Sequence, residues 1–165
     1  MASNKTLDDL FYEELKDMYY AERQILKALP KMARGAESEE ARKAFEKHRE
    51  QTEGHVERLQ KVFEMMGKRA RAKTCEAMDG IIDEGEEIMD AFKGTPALDA
   101  GLIASAQAVE HYEIARYGTL KRWAQVLGMQ EAAKLLDQTL SEEIETDQLL
   151  TKIADQSANR HAQAA

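Results

Sequence analysis

Cysteine occurs once, at Cys75, in a chain of 165 residues. No intramolecular disulfide can brace the fold, and a reducing compartment is the natural setting. Proline occurs twice and glycine nine times, and β-branched residues are sparse, so the turn punctuation of a many-stranded sheet protein is missing. No apolar run approaches the roughly 20 residues that a membrane-spanning helix needs. The opening stretch MASNKTLDDL lacks the basic-then-apolar order of a secretory signal. Cations are outnumbered, 23 Lys and Arg against 31 Asp and Glu, for a net charge of −8. That balance argues against nucleic acid and anionic membranes, both of which are held by clustered cations. The one basic run, KRARAK at 68–73, reads as a solvated connector. A cytoplasmic protein is expected.

What is present points to helices. Apolar residues make up 43% and charged residues 33%, dominated by Ala, Glu, Lys, Leu and Met, and the length suits one domain with its own core. Thr6 with Asp9 forms a helix-start signature, and Leu7, Phe11, Met18, Ile25 and Leu29 follow as one stripe. This first helix is expected over about 7–34, with Pro30 a candidate kink. A second starts after Ser38, carries Phe45, Val56, Leu59 and Phe63 inward, and stops at Gly67. A short amphipathic helix is expected over 75–92. Thr95 and Pro96 suit the N-cap and first position of a third long helix that ends at Gly128. The fourth runs from about Gln130 to Ala154.

The two long pairs resemble each other, AERQILKAL at 21–29 aligning with YEIARYGTL at 112–120. Short loops within each pair and a long connection between them fit an all-α, ferritin-like four-helix bundle whose crossover carries a small fifth helix. One domain over 1–155 is expected, with the polar segment 156–165 as a flexible tail.

Four acids disturb this apolar pattern. At about 100° per residue, Glu22 lies between Met18 and Ile25, Glu113 between Val109 and Leu120, and Glu143 between Leu136 and Leu150. Glu110 falls nearer the edge of its face. Glu22 and Glu113 lie about 14 and 15 residues from their hairpin turns, and Glu143 returns to the same depth. Carboxylates gathered inside a core repel one another and need protons, cations or a metal. Arg116, placed inward on the third helix, is a competing cation. On the second helix the inward residues at this level are His48, Thr52 and His55. Glu50 and Glu53 point outward unless a π-bulge turns one of them in.

The stretches LFYEELKDMYYAERQILKALPKMA, LIASAQAVEHYEIARYGTL and LSEEIETDQLL resemble the YciF/YciE-type ferritin-like stress proteins. The resemblance covers residues 7 to about 155 and implies a typically dimeric five-helix domain with a dinuclear metal site of no established reaction. Glu22, Glu110, Glu113, Glu142, Glu143 and Asp147 fall on that family's acidic positions, and His48, Glu50 and Thr52 match its second-helix pattern. Glu53 and His55 depart from some of its members.

The expectation is therefore a stress-associated protein that holds two divalent metal ions, iron or manganese, in the bundle core. Glu22, Glu113 and Glu143 are the leading ligands. Glu110, His48, His55, Glu50 and Asp147 complete the candidate set, and peroxide or dioxygen is the natural small oxidant for such a pair. The competing expectation is a non-catalytic structural protein whose buried acids form a hydrogen-bond and ion-pair network. A homodimer is expected, with Met65, Met66 and Phe92 offering apolar surface. A 24-subunit storage cage is the weaker alternative, for want of a further helix after the fourth.

Overall fold

A computed structural model describes residues 4–164 of the chain. Its helices are α1 (Leu7–Gly35), α2 (Glu39–Met65), α3 (Glu76–Ala91), α4 (Leu98–Val126), α5 (Gln130–Ile153) and α6 (Asn159–Gln163). A π-helical turn, Ala154–Ala158, joins the last two. Among the described residues no helix is long and apolar enough to cross a membrane.

Local bonds set several of the helix ends. The Asp9 carboxylate accepts from the backbone N–H and the hydroxyl of Thr6, at 2.8 and 3.0 Å, which fixes the first turn of α1. Ser38 Oγ accepts from the Ala41 N–H at 3.2 Å and starts α2. Gly128 takes a φ of 74°, so the N–H of Met129 can turn back to Ala124 O at 2.8 Å and close α4. Pro30 lies inside α1, which runs on to Gly35.

Asp99 sews the first hairpin turn to the base of α4. Its buried carboxylate accepts the N–H groups of Glu37 and Ser38 at 2.8 and 2.7 Å. Bonds to a buried anion are stronger than neutral ones, so Asp99→Ala is expected to lower stability by about 1.5–3 kcal/mol. Thermal denaturation checks this.

The apolar stripes meet as expected, with Phe11, Leu15, Met18, Phe45, Leu59, Leu120 and Leu136 buried in one core. α1 pairs with α2 and α4 with α5, while α3 lies across α1 and α4 inside the long crossover. A Cβ on Gly101 would stand 2.6 Å from Ile88 Cγ2, so the missing side chain is what lets α3 approach α4. Only Met78 of α3 is fully buried.

Two details differ from the sequence reading. α4 starts at Leu98, two residues later than expected, because the Thr95 hydroxyl donates to Phe92 O at 2.8 Å and Leu98 N–H donates to Thr95 O at 3.1 Å. That pair of bonds makes a separate turn, in which Pro96 sits. The segment expected to be a tail is helical as far as Gln163, with Ala158 buried. Small side chains let it pack toward α4 where composition alone suggested fraying. Residues 1–3 of the expected domain and Ala165 of the expected tail lie outside the described residues.

Candidate metal centre

Halfway along the bundle the apolar core gives way to a cluster of six buried carboxylate and imidazole side chains. Glu22 comes from α1, His48 and His55 from α2, Glu110 and Glu113 from α4, and Glu143 from α5. Helical spacing explains how they meet. His48 and His55 are seven residues apart, two turns on one face, and Glu110 and Glu113 are three apart on another.

They group into two sets. His48, Glu110, Glu113 and Glu143 offer one donor atom each within 4.8 Å of one another, and Glu22, His55 and Glu143 form a second such set. Glu143 belongs to both. His48 Nε2 lies 2.9 Å from Glu110 Oε1 and 3.6 Å from Glu143 Oε2. His55 Nδ1 lies 2.8 Å from Glu143 Oε1 and 3.3 Å from Glu22 Oε1.

These close approaches are poorly aligned as hydrogen bonds. His48 Nε2, His55 Nδ1, both oxygens of Glu113, both of Glu143 and one each of Glu22 and Glu110 are buried without a hydrogen-bond partner. Such a concentration of orphaned polar atoms costs free energy in any ordinary core. Donors aimed at a shared point rather than at one another are what an ion needs. Bonds of about 2.1 Å to an octahedral ion put neighbouring donors about 3 Å apart, which matches the 2.8–3.6 Å spacings here.

The outer partners set which nitrogen faces the centre. The Thr146 hydroxyl donates to Gln51 Oε1 at 3.2 Å and so receives the N–H of His48 Nδ1 at 3.3 Å, leaving Nε2 as the inward lone pair. His55 is turned the other way, its Nε2 bonded to Glu142 Oε2 at 2.9 Å and its Nδ1 inward. Arg58 holds Glu142 through a bidentate pair at 2.7 and 3.0 Å. Tyr117 donates its hydroxyl to Glu22 Oε1 at 2.5 Å.

Protonation follows from burial. Burial, then the Glu143 and Glu22 charges, push Glu113 well above the usual carboxylate range. Burial and the adjoining Glu110 do the same to Glu143. Glu110 is pushed up to about 7, chiefly by burial and further by the Glu22 charge. Burial would lower His55, but the Glu22 charge and its contact with Glu143 raise it to about 11. Burial would likewise raise Glu22, yet the nearby His55 charge and the hydrogen bond from Tyr117 pull it down. Without an ion, burial favours retained protons on Glu110, Glu113 and Glu143 beside a His55–Glu22 charge pair. Two divalent cations would replace those protons with no net charge, since four carboxylates supply four negative charges and the imidazoles bind neutral.

The sequence-derived candidates fall out unequally. Glu22, Glu113, Glu143, His48 and His55 meet as expected. Glu110, placed at the edge by ideal angles, is buried and only 2.9 Å from His48. Glu50 is exposed on an unbroken α2, and Asp147 sits outside the cluster, paired with His111 at 3.2 Å and Gln107 at 3.1 Å. Arg116 does not enter the core. It is 44% exposed, lies over the Tyr112 ring and stands 3.9 Å from Glu14, because the apolar ring offers its guanidinium a face near solvent. Arg58 and Tyr117 escaped the sequence reading. Each stands one turn beyond a candidate ligand, Arg58 after His55 and Tyr117 after Glu113, and that spacing was the available signal.

Comparison with known proteins establishes the family and the fold. The model of the family described as "domain of unknown function (DUF892)" matches residues 6–163. The YciF protein of Escherichia coli K12 is 44% identical over 160 residues, 96% of each chain. The structure of E. coli YciF, described as a stress protein, superposes with a TM-score of 0.89 at 42% identity, covering 98% of this chain and 99% of that one. YcfI of Rhodopseudomonas palustris, provisionally described as a structural protein, also gives 0.89, at 41% identity over 93% and 99% of the two chains. A Xanthomonas campestris protein shares the fold at a TM-score of 0.74 and 20% identity, over 96% and 97%.

Proposed function

The chain belongs to the DUF892 family, and from that premise we propose that it is a stress-associated protein binding two divalent metal ions, iron or manganese, in its bundle core. The orphaned donors carry this reading. Eight buried oxygen and nitrogen atoms without hydrogen-bond partners converge from four helices. Their chemistry, carboxylate oxygen with one imidazole per set, suits iron or manganese better than soft thiophilic ions. His48, Glu110, Glu113 and Glu143 would hold one ion, and Glu22, His55 and Glu143 the other.

A reduced iron pair supplies two electrons when bound, enough to take dioxygen with two protons to hydrogen peroxide, or hydrogen peroxide with two protons to two waters. The chain's own residues prepare the centre. Tyr117 fixes the Glu22 carboxylate, Thr146 fixes the tautomer of His48, and the Arg58–Glu142 pair orients His55.

Anaerobic ferrous titration of chelator-treated protein tests the proposal. Two equivalents are expected; uptake below about 0.2 equivalents would overturn it. Removing the outer partner should matter less. Glu142→Gln is expected to weaken binding about 10- to 100-fold, because outer-shell losses fall in that range, and competition with a chelator of known affinity checks it.

A second reading has one observation in its favour, the structural description given to the Rhodopseudomonas relative. In that reading the protonated acids form a permanent polar network, and the titration finds no ion. Two apolar side chains on the surface, Met65 at 48% and Phe92 at 45% exposure, support a homodimer; Met66 packs against the core instead. Light scattering checks the mass.

A further inference from the structure

The two sides of the centre are built differently. On the α2–α5 side it is closed by the Arg58–Glu142 ion pair, bonded onward to His55 and Thr139. On the side facing α3 there is a crevice between α1, α3 and α4. Its walls are Ala28 and Met32, Ile82 and Met89, Ala106 and Val109, and its floor is His48 with Glu110. The floor presents the unpartnered atoms His48 Nε2 and Glu110 Oε2. At the solvent edge stand Lys31 and Glu86, paired with each other at 2.8 Å and both exposed.

We propose that this crevice is the binding site and entry path for dioxygen, resting on the metal-centre reading above. Size and polarity both select the occupant. The cavity volume is about 40 Å³, room for about three water-sized spheres, so a diatomic molecule fits and a longer chain does not. The walls offer a polar molecule little, one hydroxyl whose proton is already engaged. Ser105, the one hydroxyl in the lining, already donates to Gly101 O at 3.0 Å. Hydrogen peroxide entering here would shed most of its water hydrogen bonds without replacement until it met the floor, so the walls disfavour it. Dioxygen sheds none. Apolar cavities of this kind bind apolar gases. α3, with one fully buried residue, forms the outer wall, and Gly85 and Gly101 let it lie close on α4.

Xenon is the probe for the crevice itself, with or without metal. Pressurised crystals of the wild-type protein are expected to show one xenon atom against Ile82 and Val109, and none in Ile82→Trp or Ala28→Phe; an empty crevice in the wild type would overturn the proposal. The second measurement uses ferrous-loaded protein. Both variants should take up iron as the wild type does, with oxidation by dioxygen slowed at least about tenfold and oxidation by peroxide unchanged. Equal slowing with both oxidants, or none with either, contradicts the assignment. Ile82 lies on α3, outside the four-helix core, so that variant reports on the crevice even if Ala28→Phe folds poorly. Should the wild type bind no iron, the proposed function fails while the xenon experiment still decides the crevice.

Discussion

Replacing Glu143 by glutamine is expected to abolish uptake of both ions while leaving the metal-free bundle folded. Glu143 is the one side chain common to the two donor sets, with its oxygens 2.8 Å from His55 Nδ1 and 3.6 Å from His48 Nε2. Losing it removes an anionic ligand from each ion at once, so affinity should fall by more than the roughly 100-fold upper range of outer-shell changes. The fold should survive because burial keeps Glu143 protonated in the metal-free protein. A neutral amide of the same shape then stands where a neutral acid stood. Ferrous titration and circular dichroism on E143Q read the two halves of the expectation separately. Two ions bound with unchanged affinity would show that Glu143 bridges nothing.

The second large effect is a reversal of pH dependence on metal loading. Glu110 titrates near 7 in the folded protein against 4.5 in an unfolded chain. A raised value means that its contribution to stability is complete below 4.5 and is lost as pH climbs through 7. His55, raised from 6.5 to about 11, loses its contribution over that higher window. Glu113 and Glu143, also raised, act in the same direction as Glu110. Glu22 and Glu142, both lowered, work oppositely and lose stability only on acidification. Metal-free protein should therefore melt at a lower temperature at pH 8 than at pH 5. Glu110 alone contributes on the order of 3 kcal/mol across its window. With metal bound the same groups are deprotonated ligands and protons become competitors, so the melting temperature should rise over that interval. Parallel melts with chelator and with metal at pH 5, 6.5 and 8 decide it. A metal-free curve that is flat or climbs toward pH 8 would mean the core does not retain its protons.

How far the sequence revealed this centre depends on the kind of information each residue carries. Glu22, Glu113 and Glu143 were legible because each interrupts an apolar stripe on its own helix, and because hairpin counting sets them at one depth. His48, Thr52 and His55 were legible for the same reason, and all three are buried. Glu110 was misplaced because an ideal helix viewed alone has an edge. In the bundle that edge is covered, and Glu110 is buried. Arg116 was misplaced by the same construction with the opposite outcome, since a long side chain can leave the face its Cα occupies. Arg58 and Tyr117 depend on distances between helices, which no single-helix projection contains.

The candidate donors differ in placement from a common dinuclear pattern. In a common dinuclear bundle, two helices each give a Glu followed three residues later by His. Here Thr52 stands where α2 would carry the acid before His55, and Thr146 where α5 would carry the histidine after Glu143. The count of four acids and two histidines is kept, with His48 and Glu110 making up the difference. Thr146 is in contact with His48, so the imidazole reaches the place beside α5 from the opposite helix.

Neither hairpin owns a complete site. One donor set joins His48 of the first hairpin to Glu110, Glu113 and Glu143 of the second, and the other joins Glu22 and His55 to Glu143. An ion in either set is a reversible cross-link between segments far apart in the chain, closing loops that an unfolded chain would otherwise leave free. The hairpins cannot part until the ion leaves. Loaded protein should accordingly survive protease for a time set by the ion's departure rate, whereas the lifetime of empty protein is set by helix packing alone.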